Sequence, residues 1–256
     1  MHLIVLGSGT CVPSLKRNAP GYFLEAGETR LLVDCGSGTL LQLERCGRSY
    51  KDIDAVFITH LHPDHFSDLM PLIHAMLATP GYKRKKDLII TGPKGLRQYY
   101  DLAIASIIGK PKEFSIVVQE IEDSLVLEPF VVTSISTVHS DSSVAYRFEE
   151  GGSALVYTGD AAYDEGLIDI SRGADLLVID ASYPESMKVK NHLTTRECGL
   201  VAERAGVKRL LLSHLYPVDV SDQERLNECR KVFKGDVFLA YDLMEIDMGS
   251  GLTIDI

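Results

Sequence analysis

A short segment near residue 60 concentrates side chains that bind metals. An apolar run at residues 53–58 ends abruptly, and four candidate ligands follow within six positions: His60, His62, Asp64 and His65. Imidazole and carboxylate suit zinc, manganese or iron without any thiolate. Three of the eight histidines of the chain fall here, so a chance cluster in which Asp64 only caps a helix is the weaker explanation. The segment predicts a divalent-metal site.

The neighbouring elements are predicted to hold these ligands at the edge of a sheet. The apolar run is rich in β-branched and aromatic residues, which is typical of a buried strand. After Pro63 the apolar residues recur at intervals of three and four, which predicts an amphipathic helix over residues 64–77. Two ligands then lie where the strand ends and two lie in the first helical turn. Ligands from two elements suit two adjacent cations better than one.

Other polar side chains are predicted to reach the same rim from later strands. His139, Asp160, Asp180 and His214 each end or directly follow a predicted strand. Side chains on the ends of rigid elements are what a preorganised site requires. Asp160 has two oxygens and can bridge two cations. Asp34, at the end of an earlier predicted strand, is placed to orient the histidine segment.

Composition limits the class of protein. With 256 residues, 45% hydrophobic and 24% charged, the chain can bury a large core, and one α/β domain over residues 1–256 is predicted. It has no run of eighteen apolar residues and no signal-peptide pattern, so we expect no membrane partner and a cytoplasmic location. The five cysteines form no Cys-x-x-Cys pair, which disfavours disulfides and a thiolate metal site.

The charge balance bears on the partner. A net charge of −10 disfavours a broad nucleic-acid surface, because binding a polyanion depends on lysines and arginines that displace its counterions. A small anionic substrate remains compatible, since bound cations can dominate the local charge. The basic cluster at residues 83–86 is better explained as a solvated loop than as a phosphate site.

The pattern His60-x-His62-x-Asp64-His65 resembles the signature of the metallo-β-lactamase fold superfamily. The resemblance implies a four-layer αββα sandwich, in which two sheets are flanked by helices, with the metal site at the rim. It also implies two divalent cations, with zinc expected and manganese or iron as alternatives. The implied ligands are His60, His62 and His139 for the first cation, Asp64, His65 and His214 for the second, and Asp160 for both.

Such a centre would favour hydrolysis of a phosphodiester. Two cations about 3.5 to 4 Å apart can hold a hydroxide, because coordination lowers the pKa of water from about 15.7 toward about 7. The leaving alkoxide still needs a proton. His192, outside the ligand set and with an ordinary pKa of about 6.5, is the predicted acid. Asp180 is predicted to orient it, and with Asp64 these two complete the predicted catalytic set.

Within the superfamily the sequence is most similar to ribonuclease Z and related phosphodiesterases. The similar stretches are residues 7–13, Arg17-Asn18, residues 33–36, residues 92–95, Gly159-Asp160 and residues 192–194. Two features differ. Ribonuclease Z holds the counterpart of His192 with a glutamate, whereas Asp180 is one methylene shorter. Ribonuclease Z also grips tRNA with a long arm between the counterparts of His139 and Asp160, an interval of only 21 positions here.

The predicted function is therefore a dinuclear metal-dependent hydrolase acting on a small, nucleotide-like or cyclic phosphodiester, with nucleic acid disfavoured as a partner. The main alternative is a ribonuclease Z-type tRNA 3′-processing endonuclease that holds RNA by another surface, such as residues 83–86. A lactonase or thioesterase is a further alternative, against which the His192 loop speaks. A metal-binding sensor without turnover is the alternative outside enzymes. Because relatives are often dimers, a homodimer is compatible with the resemblance.

Overall fold

The computed structural model describes residues 1–249 and the strand Thr253–Asp255. Its strands are β1 (His2–Gly7), β2 (Gly21–Ala26), β3 (Thr29–Cys35), β4 (Ala55–Phe57), β5 (Leu88–Gly92), β6 (Ile116–Glu120), β7 (Ser124–Leu127), β8 (Phe130–Ser136), β9 (Val144–Glu150), β10 (Ser153–Tyr157), β11 (Leu176–Asp180), β12 (Arg209–Ser213), β13 (Asp236–Leu239), β14 (Glu245–Asp247) and β15 (Thr253–Asp255). They form two mixed sheets. One has the order β15-β14-β1-β2-β3-β4-β5-β6, and the other has the order β13-β12-β11-β10-β9-β8-β7.

Helices cover the outer face of each sheet. They are α1 (Thr39–Arg45), α2 (Pro63–Phe66), α3 (Leu69–Ala78), α4 (Leu96–Tyr99), α5 (Ser106–Ile108), α6 (Glu165–Ser171), α7 (Thr195–Ala205) and α8 (Asp222–Arg230). A π-helical segment, Tyr100–Ala105, joins α4 to α5. Helices α1, α3 and α4 pack on the first sheet, and α6, α7 and α8 pack on the second. None of the helices in the described part of the chain has the length and hydrophobicity that crossing a bilayer requires.

The central strands are buried on both faces. In β1, Leu3 and Val5 pack against the facing sheet, whereas Ile4 and Leu6 pack under the helices. Strand β11 divides its side chains between the two cores in the same way. This double burial explains why these strands are continuous apolar runs rather than alternating ones. The predicted four-layer αββα sandwich is confirmed.

The single helix predicted over residues 64–77 is wrong in one respect, because the chain breaks between α2 and α3. At the break, the backbone N–H of Asp68 donates to the carbonyl of Cys35 at 2.9 Å. The Asp68 carboxylate accepts from the backbone N–H of Leu40 at 3.0 Å. These bonds attach the ligand-bearing turn to the end of β3 and to the first turn of α1, which fixes its position against the sheet.

Candidate metal centre

The predicted ligands leave the sheets at one rim. Strands β10, β11 and β12 are parallel, so the residues that follow them, Asp160 and His214, and the last residue of β11, Asp180, lie at a common edge. His60 follows β4 of the facing sheet, and His139 follows β8. All nine residues predicted for the site are brought together here, and none of them lies elsewhere. Their roles as ligands and catalysts stay predictions.

The first group of donor atoms lies around His62. Its Nδ1 is 3.0 Å from His60 Nε2 and 3.1 Å from His139 Nε2. Asp160 Oδ2 lies 3.8 Å from His60 Nε2 and 3.5 Å from His139 Nε2. The ligand atoms of a tetrahedral zinc ion, each about 2.0–2.2 Å from the metal, are about 3.3–3.6 Å apart. The spacing of these four atoms therefore suits one divalent cation.

The second group lies on the other side of Asp160. Asp160 Oδ1 is 3.2 Å from both His65 Nε2 and His214 Nε2. Asp64 Oδ2 is 3.7 Å from the first nitrogen and 3.6 Å from the second. The Asp160 oxygen and both nitrogens are buried without a hydrogen-bond partner, although buried polar atoms nearly always have one. A cation would satisfy all three atoms at once, so the residues present fit a metal here as well.

The opposite nitrogen of four imidazoles is held by a neighbour outside the donor groups. The pairs are His60 Nδ1 with Thr59 Oγ1 at 3.1 Å, His65 Nδ1 with Asp34 Oδ2 at 2.6 Å, His139 Nδ1 with the Asn191 carbonyl at 2.9 Å, and His214 Nδ1 with Ser182 Oγ at 3.0 Å. Such contacts fix the ring orientation and the tautomer of a metal ligand. Of these partners only Asp34 was expected from the sequence. The others are short polar or backbone groups that carry no signal before the fold is known.

Asp34 connects the two sheets beneath the centre. Its buried carboxylate accepts from the backbone N–H of Thr59 at 2.8 Å and from the Tyr157 hydroxyl at 2.8 Å, in addition to His65. Its backbone φ of 56° lies in the left-handed region, which non-glycine residues seldom adopt. The strained backbone and the convergent donors both indicate that this carboxylate is held in one position.

The pKa values of two of the imidazoles are shifted in opposite directions. Burial, followed by the charge of His65, holds the pKa of His60 far below its ordinary value, so this ring is neutral and offers a lone pair. Burial also tends to lower the pKa of His65, but Asp160 and Asp34 outweigh it and raise the pKa well above its ordinary value. A cation at His65 must displace that proton, because only neutral imidazole binds metal.

His192 lies beside the donor groups, with its Nδ1 donating to Asp180 Oδ2 at 2.8 Å. The shorter aspartate arm therefore does reach. Asp180 is itself held by the backbone N–H groups of Ala161 and Ser182, at 3.1 and 3.0 Å. Burial lowers the pKa of His192, but the hydrogen bond and charge of Asp180 outweigh it, so the pKa is raised. The ring stacks 5.7 Å from that of His214.

Two facing sheets between helices, with histidines and aspartates converging at the strand ends, define a metallo-hydrolase. The family model described as the beta-lactamase superfamily domain matches residues 29–215. The chain belongs to this superfamily and has the metallo-β-lactamase fold.

Curated relatives and solved structures agree with this membership. The chain is 32% identical to the probable metallo-hydrolase YhfI of Bacillus subtilis over 94% of this chain and 97% of that protein. It is 29% identical to a ribonuclease Z of Archaeoglobus fulgidus over 95% and 96%. The crystal structure of YhfI superposes with a TM-score of 0.84 at 28% identity, covering 95% and 98% of the two chains. Human tRNase Z, short form, gives 0.81 at 26% identity, covering 97% and 99%.

Proposed function

We propose that the protein is a dinuclear metal-dependent phosphodiesterase that acts on a small, nucleotide-like or cyclic phosphodiester. The names of its relatives, ribonuclease Z and metallo-hydrolase, support hydrolysis of a phosphodiester bond. The two groups of donor atoms on either side of Asp160 support two divalent cations, for which zinc is the expected metal. The observation that most directly supports a small substrate is the short connection between His139 and Asp160.

In this proposal each candidate ligand is assigned to one or both cations. His60, His62 and His139 would hold one cation, Asp64, His65 and His214 the other, and Asp160 both. When bound, such cations activate water and neutralise charge on the phosphoryl oxygens.

His192 supplies the proton. Since its Nδ1–H is bonded to Asp180, its Nε2 is the nitrogen that can give a proton to the leaving oxygen. The Asp180 carboxylate stabilises the charged imidazolium from which that proton comes.

The interval between His139 and Asp160 contains a tight hairpin. Strands β9 and β10 pair from Tyr146 opposite Tyr157 to Glu150 opposite Ser153 and turn directly between them. The alignment with the Archaeoglobus ribonuclease Z is 305 positions long, but it includes only 95% of this 256-residue chain, which is about 243 residues. About 60 positions of that alignment therefore lie opposite gaps in this chain. The match to YhfI extends over only 244 positions. In length, this chain corresponds to YhfI rather than to the ribonuclease Z relatives.

The basic cluster at residues 83–86 offers little free charge for RNA. The Arg84 side chain is buried and donates to backbone carbonyls, including that of Asp87 at 2.9 Å. Two lysines of the cluster are paired, Lys85 with Glu113 at 2.8 Å and Lys86 with Asp54 at 2.6 Å. This arrangement supports the solvated-loop interpretation over a phosphate-binding surface.

A tRNA 3′-processing endonuclease is the second candidate. It is favoured by the ribonuclease Z relatives, which match nearly the whole of this chain, and by the likeness to human tRNase Z, short form, at 26% identity. On this hypothesis, RNA would have to be held by a surface other than residues 83–86.

A substrate panel separates the candidates. Protein loaded with zinc or manganese is assayed on bis(p-nitrophenyl) phosphate, 2′,3′-cyclic nucleotides and precursor tRNA at moderate salt, with a lactone and a thioester as controls. We expect turnover of the small phosphodiesters and none of the tRNA. Efficient trimming of the tRNA would favour the endonuclease, and faster hydrolysis of the lactone or thioester would refute a phosphodiesterase. Metal binding without turnover of any substrate would favour a sensor.

A further inference from the structure

Two tyrosines form a stacked pair beside His192. Tyr183 follows β11 and Tyr216 follows β12, and their rings are 4.8 Å apart with planes 16° from parallel. Each ring centroid is 6.0 Å from that of His192, and Tyr216 is 5.7 Å from His214. Neither tyrosine is among the candidate metal ligands or the residues proposed to deliver the proton. Both side chains are half-buried, so part of each ring is accessible to a ligand beside the site.

Tyr216 also lines a cavity of about 680 Å³, whose lining includes none of the candidate metal ligands. Ligand pockets for small molecules usually measure about 300 to 1,000 Å³. Three cationic side chains and one carboxylate also line the cavity: Lys16, Arg17, Arg225 and Asp222. Lys16 is exposed and has no ion pair within the described part of the chain. Arg17 pairs with Asp222 at 3.5 Å, and the buried Arg225 guanidinium donates to backbone carbonyls, so among the described residues Lys16 is the free cation of this lining. In a protein of net charge −10, that free positive charge favours an anionic ligand.

Arg225 fixes the tyrosine pair in place. Its buried guanidinium donates to the carbonyl of Tyr216 at 2.9 Å and to those of Ala181 and Ser182 at 3.1 and 3.3 Å. It therefore joins the loop that carries Tyr216 to the loop that follows Asp180. A rigid aromatic surface loses little freedom when a ligand stacks on it, which favours binding.

We propose that Tyr216, supported by Tyr183, is a stacking surface for the nucleobase of the substrate, and that the adjoining cavity holds a single nucleotide. Every nucleobase has a π-face that stacks on an aromatic ring, and a nucleotide also carries the negative charge that Lys16 attracts. This inference rests on the proposed phosphodiesterase function and names its substrate class. Tyr216 is the residue that distinguishes a nucleotide from a phosphodiester without a base.

Calorimetric binding tests the stacking surface without turnover. Adenosine 5′-monophosphate and ribose 5-phosphate carry the same phosphate on the same sugar. The ratio of their Kd values therefore measures the contribution of the base to binding. On zinc-loaded wild-type protein we expect the adenosine compound to bind about 5 to 150 times more tightly, the range that a stacked base contributes. In Tyr216→Ala the ratio should fall close to one, and in Tyr216→Phe it should persist.

Tyr82→Ala is the matched control, because it removes another half-buried tyrosine from the loop before β5 and should leave the ratio unchanged. The metal content of every variant is measured alongside. A wild-type ratio close to one, or a ratio that Tyr216→Ala leaves unchanged, would overturn the stacking surface. An adenylate trinucleotide should bind within a few-fold of the mononucleotide; binding about tenfold tighter or more would overturn the single-nucleotide cavity in favour of an RNA end.

Turnover of cyclic nucleotides by the wild-type protein is followed in parallel. A wild-type Kd ratio close to one, with turnover of cyclic nucleotides by the same protein, overturns the stacking surface alone. Absence of turnover overturns the phosphodiesterase assignment on which the surface rests.

Discussion

Replacing His192 with alanine should affect substrates according to their leaving group. An alkoxide must be protonated as it departs, whereas p-nitrophenolate is stable as an anion. The ring is held for proton donation by the 2.8 Å bond to Asp180, and its raised pKa keeps more of it protonated near pH 7 than is usual for histidine. General acid catalysis contributes about 10²- to 10⁴-fold in rate. At about 1.36 kcal/mol for each factor of ten, this is about 3 to 5 kcal/mol of activation free energy.

The assay compares kcat for a 2′,3′-cyclic nucleotide and for bis(p-nitrophenyl) phosphate on protein of equal metal content. In His192→Ala we expect the cyclic nucleotide to lose about 10²- to 10⁴-fold and the nitrophenyl ester to change little. His74→Ala is the matched control, because His74 is an exposed histidine on α3 outside the site. Equal losses on both substrates would refute an acid and indicate a structural role. No loss on either would remove His192 from the mechanism.

Three further predictions concern other parts of the molecule. In Asp180→Asn the burial of His192 persists while the charge that raises its pKa is lost, so the alkaline limb of the kcat–pH profile should move to lower pH; an unmoved limb would contradict the assignment. Thr194→Ala removes the hydroxyl that accepts from the backbone N–H of Glu197 and caps α7, so urea denaturation should show about 1 kcal/mol less stability. An unchanged midpoint would show that the capping box contributes nothing. Chelation should lower the free energy of unfolding by about 5 kcal/mol if two ions are each present at about 100 times their Kd, and an unchanged Tm with EDTA would exclude metal coupled to folding.

The sandwich was predictable where local pattern and burial agree. β1, β11 and β12 each contain a continuous apolar run, at residues 3–6, 176–179 and 210–212, because both of their faces are covered. Each run is followed within two positions by a polar residue where the sheet ends. Helix α7 has equally local end signals, since the Thr194 hydroxyl caps its first turn and Gly206, in the left-handed conformation, follows its last residue. The grouping of the histidine segment with the later polar residues was predictable for a different reason, because each of them ends or follows a strand at one edge of the sheets. That these residues bind metal stays a prediction.

Features set by contacts between distant residues were not predictable. The break after α2 depends on bonds from Asp68 to Cys35 and Leu40, which become neighbours only after folding. The hydrogen bond from His139 Nδ1 to the Asn191 carbonyl joins residues 52 positions apart. Any residue could supply such a backbone carbonyl, so the sequence gives no signal for it. The short elements β7, β15 and α6 were also missed. β7 has alternately exposed residues at a sheet edge, and α6 has only seven residues, too few for a helical period to be evident.

Anomalous diffraction at the zinc absorption edge, from crystals grown with zinc, tests the dinuclear centre most directly. Two peaks are expected in each chain, about 3.5 to 4 Å apart. One should lie among His60, His62 and His139, and the other among Asp64, His65 and His214, with Asp160 between them. A single peak, or peaks away from Asp160, would contradict the two-cation centre.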